Sequence, residues 1–278
     1  MTVPDIHTFF SSEGIKEFAE VSITEIPPPD RNYVNEFLPG AGSVIIFAKE
    51  IPLSVYNLPP KEKTREMLII AESLDMTAKK LSALISAGGI SAKPVPLYLP
   101  VTITEGKVRG LVRLKQIAAA GGLGTIGKSS LLLTPQYGPR VFLSGIVTGN
   151  RIPKLQAAKI SVTTGNMADS APGMTPGEED REESCRRKAD ILPLCTGCGL
   201  CIGNCPGEAF GPDGVDAFRC MTIRTFVPPL FVPSVKWILK RRILLRTAAP
   251  LAPYIARLVT MPCSGCVTKC PKSGIKCE

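Results

Sequence analysis

Two groups of cysteines near the C-terminal end carry the clearest chemical pattern in the sequence. The first group, "CTGCGLCIGNCPG", spaces its sulfurs as C-x2-C-x2-C-x3-C-P and uses Cys195, Cys198, Cys201 and Cys205. Bacterial ferredoxins ligate [4Fe–4S] clusters with this run. Zinc sites rarely take four cysteines this close together in one run. The spacing therefore predicts iron–sulfur ligation.

The second group supplies four more thiols and indicates how eight ligands divide. It consists of Cys220 in "FRCMTI" and of Cys263, Cys266 and Cys270 in "CSGCVTKCPKS". In two-cluster ferredoxins, the last cysteine of a run ligates the other cluster. This crossed pattern predicts a first set of Cys195, Cys198, Cys201 and Cys270. It predicts a second set of Cys205, Cys220, Cys263 and Cys266, and leaves Cys185 and Cys277 as free thiols.

A glycine-rich stretch at residues 118–135, "AAAGGLGTIGKSSLLLTP", matches the phosphate-binding P-loop pattern by its letters. A P-loop needs a strand before its glycines and a helix after them, because the helix N-terminus binds the phosphates. Here apolar residues at helical spacing come before the glycines, and Pro135 follows too soon for a long helix. The pattern favours either a helix stop and turn, or a loop that lets the backbone approach another flat or anionic cofactor.

The elements that would position these residues follow from hydrophobic periodicity. A helix is predicted over "IHTFFSSEGIKEFAE" at 6–20, with a loop at "EIPPPD", a strand at 43–48 and a long helix from 64 to a Gly pair at 88–89. "GLVRLKQIAAAGG" predicts a helix before the glycine loop, and "RVFLSGIVT" predicts a strand. We divide the chain into a cofactor-binding domain at 1–150, a turn-rich linker at 151–190 and a cysteine domain at 191–278.

The charge of the chain is concentrated at its C-terminal end. The formal net charge is +9, and from Arg219 to Lys276 there are 11 basic residues and no acidic one. This basic 219–276 region predicts an anionic partner, which would be tRNA, an acidic protein or a membrane surface. A helical insertion at 226–260 holds the only tryptophan, Trp237. It is either an amphipathic helix pair that lies on such a partner, or a cover over the clusters whose arginines offset their negative charge.

The N-terminal residues and the cysteine content bear on localisation. "MTVPDIHTFF" has no secretory leader pattern, and no uninterrupted apolar run is long enough to span a bilayer. Ten cysteines without a leader favour metal or redox chemistry in a reducing compartment. We expect a cytoplasmic protein.

Two stretches together resemble a known family. "AAAGGLGTIGKSSLLLTPQYGPRVFLSGI" and the two cysteine runs with "FRCMTI" between them are similar to the epoxyqueuosine reductases and reductive dehalogenases. The resemblance implies an α+β chain, in which a nitroreductase-like α/β domain that binds cobalamin precedes a ferredoxin-like module with two [4Fe–4S] clusters. It implies that Gly122, Gly124, Gly127 and Lys128 border the corrinoid. Flavin is the alternative ligand of that domain, and ferredoxin or flavodoxin is the implied electron donor.

The catalytic acid is where the sequence departs from this family. In the family, an aspartate that is thought to donate a proton stands 14 residues before the middle glycine of the Ala-Gly-Leu-Gly stretch. The same count back from Gly122 gives Val108 in this chain. The nearest acid is Glu105, which we take as the candidate proton donor. The chain reaches Glu278 without the helical-repeat extension that helps family members to hold tRNA. We expect a cobalamin- and [4Fe–4S]-dependent reductase; the rival is an electron carrier whose N-terminal domain docks a partner.

Overall fold

The structure is a computed structural model of the chain. It describes residues 6–97, 101–104, 107–110, 112–152, 194–211, 214–239, 241, 249–258 and 260–274. The N-terminal helices are α1 (Ile6–Ser12), α2 (Pro28–Phe37), α3 (Leu53–Tyr56), α4 (Pro60–Ala87) and α5 (Leu114–Ala120). The strands are β1 (Glu17–Ser22), β2 (Ser43–Glu50), β3 (Ala92–Pro94), β4 (Val101–Thr104), β5 (Lys107–Gly110), β6 (Thr125–Ile126), β7 (Leu132–Leu133) and β8 (Val141–Thr148).

The N-terminal part is built on a four-stranded sheet of order β1-β2-β8-β3, with every neighbouring pair antiparallel. Strand β2 is buried on both faces because its side chains alternate between two cores. Val44 and Ile46 belong to a core shared with Ile117 of α5. Ile45 belongs to a second core, shared with Leu81 of α4. The sheet therefore lies between helices on both faces, and the mixed helix and strand content agrees with the α+β expectation.

Two predicted elements of the N-terminal part are wrong. The helix predicted over 6–20 ends at Ser12, and residues 17–22 form β1, which pairs with β2. Gly14, at φ 69°, lies in the turn between them, and pairing with a buried strand outweighs the helical spacing. The proline loop predicted at "EIPPPD" begins α2 at Pro28, because a missing N–H is no loss in the first helical turn.

The other predicted elements lie close to their expected places. Strand β2 covers the predicted 43–48, and α4 runs to Ala87, directly before the Gly pair. The helix before the glycine loop begins only at Leu114, because residues 107–110 pair with β4 as strand β5. After the glycines come the short strands β6 and β7 instead of a helix, as the analysis of the P-loop pattern predicts.

The C-terminal part consists of short helices and a small hairpin around the cysteines. Its helices are α6 (Leu200–Gly203), α7 (Met221–Phe226), α8 (Val232–Leu239), α9 (Ala252–Leu258) and α10 (Gly265–Thr268). Strands β9 (Phe210–Gly211) and β10 (Gly214–Val215) form the hairpin, and 3-10 turns cover Pro229–Phe231, Ala249–Leu251 and Pro271–Gly274. Most of the predicted 151–190 linker lies outside the described residues, so the division into domains stays a proposal.

Candidate iron–sulfur site

The four cysteines of the first set line one cavity. Cys195, Cys198, Cys201 and Cys270 are among the residues around a space of about 370 Å³, a volume that includes its solvent-filled mouth. Cys198 is exposed, while the other three are half-buried. Residues separated by 69 positions in sequence thus meet at one place. This is the grouping that the crossed ferredoxin pattern predicts, and the assignment of these thiols as cluster ligands stays a prediction.

Local structure positions the cysteines through two short helices that contact each other. Helix α6 carries Cys201, and helix α10 carries Cys266. The two helices pack together, so that a Cβ added at Gly265 would lie 3.5 Å from the carbonyl oxygen of Asn204. Each helix is a single turn that carries the cysteine before the last one of its group. Their contact is what brings Cys270, from the second run, to the cavity of the first.

The second set of cysteines is gathered around Cys266. Burial, together with the neighbouring sulfurs of Cys220, Cys263 and Cys205, raises the pKa of the Cys266 thiol to about 11. Burial also raises the pKa of Cys201, with additions from Cys270 and Cys195. The sulfurs that influence Cys201 and Cys266 therefore all belong to the predicted set of the thiol concerned. Metal ligation requires thiolates, so loading either set would release protons.

The donors of the first cysteine set fit a [4Fe–4S] cluster. Among the residues described, no three His, Cys, Asp or Glu side chains lie close enough together to ligate a single metal ion. A [4Fe–4S] cubane takes one thiolate at each of four iron corners. In the first set, four thiols surround an open space into which Gly127 and Leu133 also face. Such an arrangement suits a polynuclear group held from several sides.

The glycine loop forms the opposite wall of this cavity. Gly127, Lys128, Ser129 and Leu133 all line it. A Cβ at Gly127 would lie 3.6 Å from the Cys195 Sγ, and a Cβ at Gly197 would lie 3.7 Å from the Lys128 Nζ. The predicted role of Gly127 and Lys128 beside a corrinoid is not tested by these contacts. What the structure adds is a direct contact of the loop with the first cysteine set.

The other two glycines of the predicted corrinoid border, Gly122 and Gly124, differ in what surrounds them. A Cβ at Gly124 would collide with the Leu133 carbonyl oxygen, so this glycine allows β6 and β7 to approach. Gly122 has a φ of 77° and nothing within 4 Å of an added Cβ. It lies at the end of α5, where a left-handed residue commonly terminates a helix. Of the two, Gly122 is the one with open space beside it.

A second loop of the N-terminal part holds the last cysteine segment in place. A Cβ at Gly138 would collide with the Lys272 carbonyl oxygen. The buried Arg140 donates from Nε to the Ser273 carbonyl oxygen at 2.6 Å, and from Nη1 to Glu50 at 2.5 Å. These contacts fix the turn that directly follows Cys270. The sequence analysis did not identify Gly138 and Arg140 as contributors to the site, although "TPQYGPR" belongs to the stretch that carries the family resemblance.

A small apolar core joins the second cysteine set to the N-terminal part. Tyr56 and Met67 pack with Val267 of α10, and the half-buried Cys266 lies against this core. The backbone N–H of Met261 donates to Thr64 Oγ1 at 2.8 Å. Burial raises the pKa of the Tyr56 hydroxyl well above its ordinary value. The N-terminal part therefore contacts both cysteine sets through buried side chains.

The remaining predicted residues are not placed at this site. Glu105, Cys185 and Cys277 lie outside the described residues. Val108, at the position of the family's acid, is in strand β5 and pairs with Ile103. Among the described helices, none has the length and apolar character needed to cross a membrane.

Comparison with solved structures shows which known fold this chain has. The chain superposes over 97% of its length on 64% of a selenomethionine-labelled epoxyqueuosine reductase, with a TM-score of 0.52 and 17% identity. The chain has the fold of the epoxyqueuosine reductases. The enzyme from Streptococcus thermophilus gives a TM-score of 0.50 at 16% identity, over 98% of this chain and 66% of that one. An epoxyqueuosine reductase solved with a tRNA-Tyr epoxyqueuosine-modified stem loop gives 0.51 at 18%, over 97% and 64%.

The likeness to the epoxyqueuosine reductases is one of fold. The chain spans 64 to 66% of the length of these three structures. No protein-family model and no curated protein sequence matches it. The reductive dehalogenase and corrinoid parts of the sequence resemblance stay predictions.

Proposed function

We propose that this protein is an iron–sulfur reductase that uses the epoxyqueuosine reductase fold. Two [4Fe–4S] clusters would carry electrons to an acceptor bound by the N-terminal part, and cobalamin is the acceptor that we propose. The observation that carries the proposal is the shared cavity, whose walls are the first cysteine set and the glycine loop. A reductase of this kind requires such a contact, because electrons have to leave the cysteine module for the other domain.

The protein's own residues would ligate the clusters and line the cavity. The two sets of four thiolates would hold the clusters, with Cys198 exposed toward the solvent. Gly127 leaves no side chain between the glycine loop and Cys195, so the two backbones approach closely. Lys128 brings a cation to the edge of the cavity, where it offsets the negative charge of four thiolates. Bound clusters would supply one-electron transfer, and bound cobalamin would supply a strongly nucleophilic reduced cobalt centre.

Glu105 is our proposed proton donor to the substrate, and a small acidic ferredoxin or flavodoxin is our proposed electron donor. The basic residues of the 219–276 region that lie outside the insertion at 226–260 support docking of an acidic protein by charge complementarity. One structure of the same fold binds a tRNA stem loop, and a tRNA partner for this chain stays a prediction.

An anaerobic titration of cluster-loaded protein with cob(II)alamin, followed by EPR, tests the proposal. We expect a five-coordinate, base-off cobalt signal that saturates at about one corrinoid per chain. Two intact cluster signals without any corrinoid binding would contradict the cobalamin step. In that case the same titration with a flavin tests the alternative acceptor.

The second candidate is an electron carrier whose N-terminal part docks a partner and binds no cofactor. Two of the predicted corrinoid glycines favour it, because contacts inside the protein already account for them. Gly124 is required for the approach of β6 to β7, and Gly127 is packed against Leu133 and Cys195. Absence of binding for both corrinoid and flavin would support this candidate.

A further inference from the structure

The insertion between Cys220 and Cys263 presents apolar side chains to the solvent. Its first arm contains the turn Pro229–Phe231 and helix α8, in which no residue is buried. Leu230 is 82% exposed and Trp237 is 56% exposed, with Phe231 and Ile238 also exposed. By contrast, α4 buries an apolar stripe along its whole length. A short helix with this many uncovered apolar side chains indicates a surface that contacts something else.

The second arm has the same character. It contains the turn Ala249–Leu251 and helix α9, and Tyr254 is 69% exposed. Leu251 and Ile255 are exposed as well. Among the side chains that the structure describes between 227 and 260, none is fully buried. Of the two interpretations that the sequence leaves open for this insertion, the exposure favours docking over a cover that turns its apolar faces inward.

Basic residues accompany both arms, with no acidic residue among them. Lys236 lies over the Phe218 ring at 5.0 Å, and the Arg241 guanidinium lies over the Trp237 ring at 4.8 Å. Arg257, at the end of α9, pairs with Glu72 of α4 at 3.5 Å but keeps most of its side chain exposed. The whole stretch from Arg219 to Lys276 lacks Asp and Glu. The partner surface must therefore be anionic and must also accept apolar groups.

A partner of this surface has to be anionic and also has to accept apolar side chains, and the possible partners differ in how well they meet both conditions. A nucleic acid would use the cations and could stack on the rings, but it offers nothing to Leu230, Ile238, Leu251 and Ile255. A second copy of the chain would bring like charges together across a symmetric interface. A protein partner would need preformed pockets for side chains that project this far. A fluid bilayer with anionic headgroups accepts protruding Leu, Trp and Tyr side chains together with Lys and Arg.

We propose that the two arms of this insertion dock the protein on an anionic lipid surface as a peripheral, non-spanning anchor. This docking is independent of the proposed reductase activity. Because the arms lie between Cys220 and Cys263, docking would bring the second cysteine set close to the membrane surface.

Vesicle co-sedimentation of the cluster-loaded, full-length protein under anaerobic conditions tests this proposal. We expect binding to phosphatidylcholine vesicles that contain about one third phosphatidylglycerol, and weak binding to phosphatidylcholine alone. Trp237 is the only tryptophan, so its emission reports on the first arm alone. It should shift to shorter wavelength on the anionic vesicles and be quenched by brominated acyl chains. This measurement needs no variant.

Variants of exposed residues then assign the surface. Leu230→Ser with Ile255→Ser should weaken binding by at least about tenfold. Lys236→Gln and Arg241→Gln should each weaken it about fivefold. Met76→Ser with Leu84→Ser is the matched control, since both side chains are exposed on α4. It should leave binding unchanged. Iron content and the EPR of the reduced protein verify that each variant is folded.

Several results would overturn the proposal. One is the absence of co-sedimentation and of a Trp237 shift on anionic vesicles. Another is vesicle binding that the arm variants and the control variant affect equally. Patch-dependent binding to an RNA stem loop, to an acidic ferredoxin or to a second copy, without vesicle binding, would instead assign the surface to that partner.

Discussion

The backbone of Gly127 lies directly against the side chain of Cys195. A Cβ at position 127 would come within 3.6 Å of the Cys195 Sγ and within 2.6 Å of Leu133 Cδ1. The glycine loop belongs to the N-terminal part, and the cysteine begins the first C-x2-C run. The loop that resembles a nucleotide-binding motif in sequence is thus a wall of the candidate cluster cavity.

Gly127→Ala tests whether this contact matters. The added methyl overpacks against Leu133, which costs about 1–3 kcal/mol of folding free energy, and lies in van der Waals contact with the Cys195 Sγ. We expect a lower melting temperature and an altered EPR signal of the first cluster only. Gly203→Ala is the matched control, because an added Cβ there meets nothing within 4 Å. Equal cluster signals in both variants would show that the contact has no influence on the cluster.

Lys128→Gln tests the electrostatic role of the loop. Loss of a cation beside the cavity disfavours the more negative, reduced state, so the reduction potential of the first cluster should fall. Because Lys128 is exposed to solvent, we expect a shift on the order of tens of mV, where about 59 mV corresponds to tenfold. An EPR-monitored redox titration measures it. Lys79→Gln removes the same charge from an exposed lysine that pairs with the half-buried Asp75, and a similar shift there would argue against a local effect.

Arg140→Met tests the docking of the segment after Cys270. The Arg140 side chain is 2% exposed, and it loses its bonds to Ser273, Ile51 and Glu50 in this variant. Breaking a buried, charge-assisted network of this kind costs about 3 kcal/mol. For a chain of this size that lowers Tm by roughly 5–10 °C. We expect partial loss of the first cluster as well.

The matched control for Arg140 is Arg219→Gln. Arg219 pairs with Glu208 on the surface, where both side chains are exposed. An exposed pair contributes less than about 1 kcal/mol, so Tm should hardly change. If Arg140→Met behaved like Arg219→Gln, the tether to Ser273 would be irrelevant to stability.

Serine substitutions test the division of the cysteines. Cys201→Ser should abolish one cluster and Cys266→Ser the other, so that each variant retains about half of roughly eight irons per chain. EPR of the reduced proteins should show two different remaining signals. Cys185→Ser and Cys277→Ser should keep the full iron content. Loss of both clusters on substitution of a single cysteine would contradict independent sets.

Glu105→Gln tests the proposed proton donor. A carboxylic acid that protonates the substrate cannot be replaced by an amide, and loss of such a group typically reduces turnover by about 10²–10⁴-fold. Binding of cob(II)alamin, followed by EPR, should stay unchanged, since the residue is not proposed as a ligand. Unchanged turnover would exclude the role.

The sequence by itself determined several of the elements and predicted the type of ligand. The C-x2-C-x2-C-x3-C-P spacing predicts the ligand type, because such short loops suit the corners of a cubane. Strand β2 and helix α4 are evident from their periodicity, since each buries a continuous apolar pattern. The prediction that no helix follows Lys128 depends on Pro135, whose effect is also local.

Only the tertiary structure decided which distant residues meet at the site. Strand β1 is stable because β2 pairs with it along its whole length, so local helical spacing there is misleading. The roles of Gly138 and Arg140 depend on Lys272 and Ser273, more than 130 positions away. The role of the glycine loop depends on its contact with Cys195 in the same way. Such contacts are fixed by packing between segments, and packing leaves no periodic or spacing signal in a single sequence.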